Sequence, residues 1–133
     1  DRSQGIYALD ARTGEPVLRT GMDDLPLAWY SGTPLPIGDT LYAPISSFEV
    51  ALAMNPFYGC CTTRGGLAAF DLETGVRRWF LPTIDEPAKR TGSHWVFVDE
   101  YGPSGAAVWG APSYVTIPIP AEGPSLGVAP SGT

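Results

Sequence analysis

The chain has 133 residues, of which 44% are hydrophobic, and this supplies one compact core but not two. Its 14 Pro and 16 Gly predict short regular elements and argue against a helical bundle, because Pro is excluded from helix interiors and central strands. The net charge of −6, with no basic cluster, argues against a nucleic-acid partner, since a phosphate backbone would be repelled. The longest uncharged stretch, 101–121, is interrupted by Pro and Gly, so no membrane span is expected.

The first element along the chain is one copy of an internal repeat. Residues 5–14, GIYALDARTG, return at 66–75 as GLAAFDLETG. Each copy is an apolar run, then Asp-x-x-Thr-Gly, then a second run, a pattern typical of strand, turn and strand. In such a turn the Asp carboxylate accepts hydrogen bonds from backbone N–H groups, and Gly supplies the positive φ that closes it. Both copies are therefore predicted to be antiparallel hairpins.

A further hairpin is predicted at 32–43, where two apolar runs flank Gly38-Asp39. Together with the hairpin at 66–81 it gives four strands, and a repeated four-stranded antiparallel unit is the signature of a β-propeller blade. The long period places insertions at 46–65 and 82–104. The run GAPSYV at 110–115 then resembles the segment that begins at Gly32, as though a third blade started there.

The predicted fold class is therefore all-β, a partial propeller of about one and a half blades over 1–114 with an irregular Pro- and Gly-rich tail at 115–133. Propellers need roughly 4 to 8 blades to close, and blades bury their faces against neighbours. The chain is therefore expected to be a segment whose partner is the remainder of a propeller or a second copy. Because it begins at Asp1 without a leader, any secretory signal is expected to have been removed, or the chain to be an excised piece.

Cys60 and Cys61 are adjacent, and neighbouring Cα atoms lie about 3.8 Å apart, closer than the roughly 5.5 to 6 Å of a relaxed disulfide. A bond between them would add little stability through loop closure. The residues alone leave two alternatives open, a local disulfide or two free thiols packed under a loop. The Cys pair and the distant His94, taken as a loop residue, lack the ligand spacing of a zinc site.

Three other polar features have an ordinary interpretation when taken alone. Arg64 offers a planar fork of donors for carboxylates or quinone oxygens, although an isolated Arg beside a strand is usually a surface residue. Residues 102–107, GPSGAA, read as a turn. Glu49 reads as a solvated loop acid rather than a catalytic one.

Residues 5 to about 113 nevertheless resemble the quinoprotein alcohol dehydrogenases that use pyrroloquinoline quinone (PQQ), and most closely their polyvinyl alcohol dehydrogenase branch. The resemblance lies in the repeated Ala-x-Asp-x-x-Thr-Gly segments. It extends to three further stretches in the family's order, which are YAPISSFE at 42–49, CCTTRG at 60–65 and GPSGAAVW at 102–109.

The resemblance implies an eight-bladed propeller in the intact enzyme, with PQQ near the central axis and Ca²⁺ polarising its carbonyl while an Asp takes the proton of a small or polymeric alcohol. It implies that Cys60 and Cys61 form a vicinal disulfide covering one face of the quinone. It further implies that Arg64 hydrogen-bonds the quinone oxygens, and that Ser104, Gly105 and Ala106 meet the cofactor carboxylates. These six are the predicted cofactor-binding residues.

The family's catalytic Asp, the Trp that covers the other face of the quinone and the usual metal ligands lie in later blades. No catalytic or metal-binding residue is therefore expected in this chain, which is predicted to be inactive alone. Ala107 stands where methanol-oxidising relatives carry a Glu metal ligand, and Ser31 where many have Glu near the quinone.

Two functional hypotheses follow from these features. The first is a segment of a PQQ-dependent alcohol dehydrogenase that supplies one wall of the quinone pocket. The alternative is a non-catalytic β-repeat module that associates through open sheet edges. The expected location is periplasmic or secreted, since a vicinal disulfide persists best in an oxidising compartment and the family resemblance implies a periplasmic protein.

Overall fold

Nine strands and one short helix form the described part of the chain, residues 5–25, 27–94 and 97–116 of a computed structural model. The helix, α1, covers Glu49–Leu52. The strands are β1 (Gly5–Leu9), β2 (Pro16–Gly21), β3 (Ala28–Trp29), β4 (Leu35–Ile37), β5 (Thr40–Ser47), β6 (Gly66–Asp71), β7 (Arg77–Pro82), β8 (Lys89–His94) and β9 (Val98–Gly102). The all-β class predicted from the sequence is confirmed.

Four consecutive strands form the antiparallel sheet that the hairpin patterns predict. β4 pairs with β5, β5 with β6, and β6 with β7. Ala68 lies opposite Ala43 on one side and Phe80 on the other. The short strand β3 joins the edge of β5 that also carries β4, at Ser46 and Ser47. The connection from β5 to β6, which contains α1, occupies the position of the first predicted insertion.

The two repeated turns have the same hydrogen bonds. In each copy the Asp side chain, Asp10 or Asp71, accepts hydrogen bonds from the backbone N–H groups two and three residues later, at 2.8 to 3.1 Å. The glycines that close the turns, Gly14 and Gly75, have φ of 76° and 74°. Both segments are antiparallel hairpins, β1–β2 and β6–β7, as the sequence predicts.

The hydrophobic core lies where the β5–β6 face meets the first hairpin and the segment after it. Phe70 and Ile45 are its largest apolar side chains, both with 0% exposure. Ala43 and Ala68 lie opposite each other at the centre of this face, and their small side chains let the covering segment approach closely. The buried cluster consists of Met22, Ala28, Ala43, Ile45, Ala68 and Phe70.

Arg78 on β7 holds the two turns of the four-stranded sheet together. Its Nη2 lies 2.8 Å from Asp39 Oδ2 and 2.7 Å from Asp71 Oδ2. The guanidinium lowers the pKa of Asp39 to about 2 and holds that of Asp71 below its usual range. The ion pairs therefore link the β4–β5 turn to the β6–β7 turn in a way that depends on pH.

We expect stability to fall as the pH drops from about 4 to 2. Because the folded-state pKa of Asp39 lies below the ordinary value of 3.8, its contribution is fully present above that value and is lost as the pH falls through about 2. In Arg78→Ala the denaturant midpoint should fall less steeply over this window. Arg12→Ala, a control whose side chain is 90% exposed, should follow the wild type. Equal slopes for Arg78→Ala and the wild type would contradict the assignment.

The second predicted insertion contains a hairpin of its own, β8–β9. His94, expected in a loop, is instead the last residue of β8, with Nδ1 3.0 Å from the Glu100 carboxylate and Nε2 2.9 Å from the Pro56 carbonyl oxygen. Residues 106–116 contain no strand, so the start of a third blade stays a prediction. Most of the predicted tail, from 117 on, lies outside the described residues. Across the parts of the chain that are described, no helix is long and apolar enough to cross a membrane.

Candidate functional site

Two loop segments that are far apart in the sequence pair with each other and carry all six predicted cofactor-binding residues. Arg64 and Gly105 form a parallel β-bridge. The Gly65 N–H donates to the Gly105 carbonyl oxygen at 2.7 Å, and the Gly105 N–H donates to the Thr63 carbonyl oxygen at 3.0 Å. Ser104 and Ala106, the neighbours of Gly105, are thereby held beside Arg64.

The pairing continues toward the cysteines. The Tyr101 N–H donates to the Cys60 carbonyl oxygen at 2.7 Å, and the Cys61 N–H donates to the Tyr101 carbonyl oxygen at 3.3 Å. Residues 60–65 and 101–106 therefore run side by side in the same direction. We refer to these two segments together as the site ribbon. The last two residues of β9, Tyr101 and Gly102, are the first two residues of the second segment.

The two cysteines are joined by a disulfide, and the peptide bond between them is cis. Both residues are half-buried at the start of the site ribbon. Of the two alternatives that the sequence leaves open, the structure has the vicinal disulfide rather than two free thiols.

Arg64 is not an isolated surface side chain. Its Nη1 donates to three successive carbonyl oxygens of the segment after β7, those of Ile84 (2.9 Å), Asp85 (3.0 Å) and Glu86 (3.1 Å). Nη2 and Nε lie outside this contact. Arg64 therefore fixes a neighbouring loop with one nitrogen of its planar fork, while the other two nitrogens take no part in that interaction.

Gly65 lies at the most crowded point of the site ribbon. A Cβ atom at this position would overlap the carbonyl oxygen of Ala106 and the Cα of Ala107. Thr83 joins the same point, because its N–H donates to the Gly65 carbonyl oxygen at 2.9 Å and its hydroxyl donates to the Ala106 carbonyl oxygen at 2.7 Å. Only glycine at position 65 lets the two backbones approach this closely.

The second segment of the site ribbon contains two successive residues with positive φ. Gly105 has φ of 84° and Ala106 has φ of 51°, so two successive residues lie in the left-handed region. For Ala this conformation is unfavourable, and the surrounding contacts must hold it in place. Ala106 is exposed, whereas Ser104 and Gly105 are half-buried.

Glu49 is buried, and its interpretation as a solvated loop acid is wrong. It is the first residue of α1 and only 2% exposed. Its carboxylate accepts hydrogen bonds from the Tyr58 hydroxyl and from the N–H groups of Thr62 and Thr63. Burial raises the pKa of Glu49, but the hydrogen bonds from Thr63, Thr62 and Tyr58 outweigh it, so the pKa lies below its usual range.

Metal-binding side chains are not gathered at the site. Within 5–25, 27–94 and 97–116, no group of three or more His, Cys, Asp or Glu residues could hold a metal ion. Ala107, next to the site ribbon, has no ligand atom in its side chain. A polar groove elsewhere, between β2 and the β6–β7 turn, is lined by Arg19, Asp24, Gly75, Arg77 and neighbouring residues and contains none of the six predicted residues.

The comparisons with known proteins agree with the family resemblance. Over 113 residues, 85% of its length, the chain is 34% identical to a polyvinylalcohol dehydrogenase of Sphingopyxis sp. (strain 113P3) and 33% identical to one of Pseudomonas sp.. It spans 17% and 18% of the length of these two relatives. No protein-family model and no solved structure matches it. The family predicted from the sequence is thus confirmed, and this chain is a relative of one part of the polyvinyl alcohol dehydrogenases.

Proposed function

We propose that this chain is a segment of a quinone-dependent alcohol dehydrogenase and supplies one wall of the quinone pocket. The observation that carries the proposal is the parallel pairing of 60–65 with 101–106. It gathers in one place the disulfide, the guanidinium and the small polar turn that the family resemblance assigns to PQQ. The name shared by the two relatives supports an alcohol as substrate, either polyvinyl alcohol or a smaller one.

The residues of the site ribbon suit a flat, anionic, oxygen-rich cofactor. PQQ, when bound, supplies the electron acceptor for alcohol oxidation. The Cys60–Cys61 disulfide is half-buried and would cover one ring face. Arg64 keeps Nη2 and Nε outside its contact with 84–86 and would donate them to quinone oxygens or carboxylates. Ser104, with its hydroxyl, would hold a carboxylate of the cofactor.

In this proposal, the remaining catalytic and metal-binding groups belong to other parts of the parent enzyme. The resemblance assigns the proton-accepting Asp and the Ca²⁺ ligands to later blades, so the chain alone would not turn over an alcohol. It would work as part of a larger β-propeller in the periplasm or outside the cell. The sheet β4–β7 would be one complete blade, and β1–β2 the end of the blade before it.

Exposed apolar side chains support a partner surface. Large hydrophobic residues with exposures of 42% to 86% include Tyr7, Leu9, Val17, Trp29, Met54, Trp79, Leu81 and Trp109. A contiguous patch of such residues would be unusual for an independent monomer. It would be covered by the remaining blades, or, in the alternative function of a self-associating β-repeat module, by a second copy of the chain. Sedimentation of the isolated chain separates the two, because a concentration-dependent dimer without PQQ binding would favour the module.

The first test of the proposed function is a titration of the chain with PQQ, followed by tryptophan fluorescence. Arg64→Ala should weaken binding about tenfold or more, since charge-assisted hydrogen bonds to the cofactor are lost. Arg12→Ala removes the same charge from a side chain that is 90% exposed and should leave the affinity unchanged. Equal affinities for the wild type and Arg64→Ala, or no binding at all, would overturn the proposal.

The predicted inactivity has its own test. With PQQ, Ca²⁺ and polyvinyl alcohol or a small alcohol, the chain should not reduce an electron-accepting dye. Robust turnover by the 133-residue chain would contradict this prediction.

A further inference from the structure

Glu49 is a buried carboxylate that forms no ion pair with any cationic residue described in the structure. Its side chain is fully enclosed beside the site ribbon, and among the described residues no Lys, Arg or His forms an ion pair with it. An unpaired buried charge is strongly unfavourable unless hydrogen bonds replace the lost water. The donors that surround Glu49 therefore determine whether this arrangement is stable.

Among the described residues, the donors that reach the carboxylate all come from one six-residue loop, 58–63. The Tyr58 hydroxyl lies 2.9 Å from Oε1, the Thr62 hydroxyl 3.2 Å from Oε1, and the Thr62 N–H 2.9 Å from Oε2. The Thr63 N–H also donates to Oε2. The loop thus wraps around one anionic group, and that group lies on a different element, α1.

The same loop carries the disulfide, and its residues 60–63 are also part of the site ribbon. Thr63 is the link, because its N–H donates to Glu49 while its carbonyl oxygen accepts from the Gly105 N–H at 3.0 Å. Cys61, immediately before Thr62, pairs with Tyr101. Displacing the loop from Glu49 would therefore disturb the contacts that Cys61 and Thr63 make with the second segment of the site ribbon.

We propose that Glu49 is a positioning residue for the quinone wall, and that its carboxylate fixes loop 58–63 so that the disulfide and Arg64 are held against residues 101–106. The purpose of this positioning rests on the proposed function. The fixing of loop 58–63 by Glu49 can be measured without any cofactor. Glu49 acts through the loop and does not touch the quinone.

The test uses Glu49→Ala, which removes the carboxylate. Its four hydrogen-bond donors are then left around a space about the size of the lost group. Hydrogen exchange at the Thr62 and Thr63 amides should become about tenfold faster or more, and a phosphine should reduce the Cys60–Cys61 disulfide several-fold faster. Sodium formate should restore both rates toward the wild type by supplying a carboxylate, whereas sodium chloride at equal ionic strength should not.

Two further variants separate positioning from general destabilisation. Ile45→Val weakens the core on β5, at a position outside loop 58–63. When it is compared with a Glu49 variant under conditions that give both proteins the same free energy of unfolding, its amide exchange rates and its disulfide reduction rate should stay unchanged. Glu49→Gln provides a second variant if Glu49→Ala fails to fold, because it keeps one acceptor oxygen and should give intermediate rates. Wild-type rates in either Glu49 variant, or equal acceleration in Ile45→Val, would overturn the proposal.

A PQQ titration of the same proteins distinguishes this proposal from the proposed function. If the wild type does not bind PQQ while the local rates still depend on Glu49, the proposed function fails and the fixing of the loop stands. If the wild type and a folded Glu49 variant bind PQQ equally well, the positioning role is overturned and the proposed function stands.

Discussion

Replacing Gly65 by Ala should separate the two segments of the site ribbon and abolish measurable PQQ binding. The added Cβ would overlap the Ala106 carbonyl oxygen and the Ala107 Cα, which are backbone atoms that cannot rotate away. Overpacking of this kind typically costs about 1 to 3 kcal/mol, and here the cost falls on the contact that joins the segments. Urea denaturation would measure the loss of stability, and fluorescence titration with PQQ would measure the loss of binding.

Gly110→Ala is the matched control for this variant. A Cβ at Gly110 meets nothing within 4 Å, and the residue does not have a positive φ. The same change of residue should therefore alter the free energy of unfolding by no more than about 0.5 kcal/mol and leave PQQ binding intact. If Gly65→Ala behaves like Gly110→Ala, the close approach of the two segments does not matter for the site.

The hairpins could be predicted from the sequence because their determinants are local. Asp10 and Asp71 accept hydrogen bonds from residues two and three positions later, and Gly14 and Gly75 complete the turns. No distant contact is needed to form these turns, so a short pattern is sufficient to identify them. The apolar runs on either side of each turn then predict the antiparallel pairing.

The site could be predicted only through the family resemblance. Periodicity gives no sign that Arg64 and Gly105 form a bridge, because the residues between them include two strands of the sheet and a further hairpin. Taken alone, Arg64 looks like a surface residue and residues 102–107 like an ordinary turn. Only the resemblance to known relatives indicates that Arg64 and residues 102–107 belong to one site, because their spacing in the sequence does not.

The burial of Glu49 could not be predicted from either source. Its donors lie 9 to 14 positions away in an irregular loop, and several of them are backbone N–H groups, which every sequence possesses. A charged residue in a polar stretch is usually solvated, and this prior gave the wrong expectation. The only signal in the sequence is the stretch 58–63, where Tyr58, Thr62 and Thr63 supply hydrogen-bond donors.

The largest loss of stability is expected for Phe70→Ala. Phe70 has 0% exposure on β6 and lies in the cluster formed by β5, β6 and the first hairpin. Removing a buried aromatic ring typically costs about 3 to 5 kcal/mol, because the lost transfer energy is added to the cost of the cavity. Small domains are stable by only about 5 to 15 kcal/mol, so this loss should remove a large share of the free energy of unfolding. Urea denaturation followed by circular dichroism would measure the shift of the midpoint.

Leu81→Ala controls for the loss of apolar surface on the neighbouring strand. Leu81 is 61% exposed, so its truncation should change the free energy of unfolding by no more than about 0.5 kcal/mol. Phe70→Ala should also lose PQQ binding, because β6 begins at Gly66, directly after the site ribbon, and unfolding of the strand releases Gly65. Gly65→Ala should lose binding while most of the protein stays folded. Equal stabilities of Phe70→Ala and Leu81→Ala would show that the core does not lie where the structure has it.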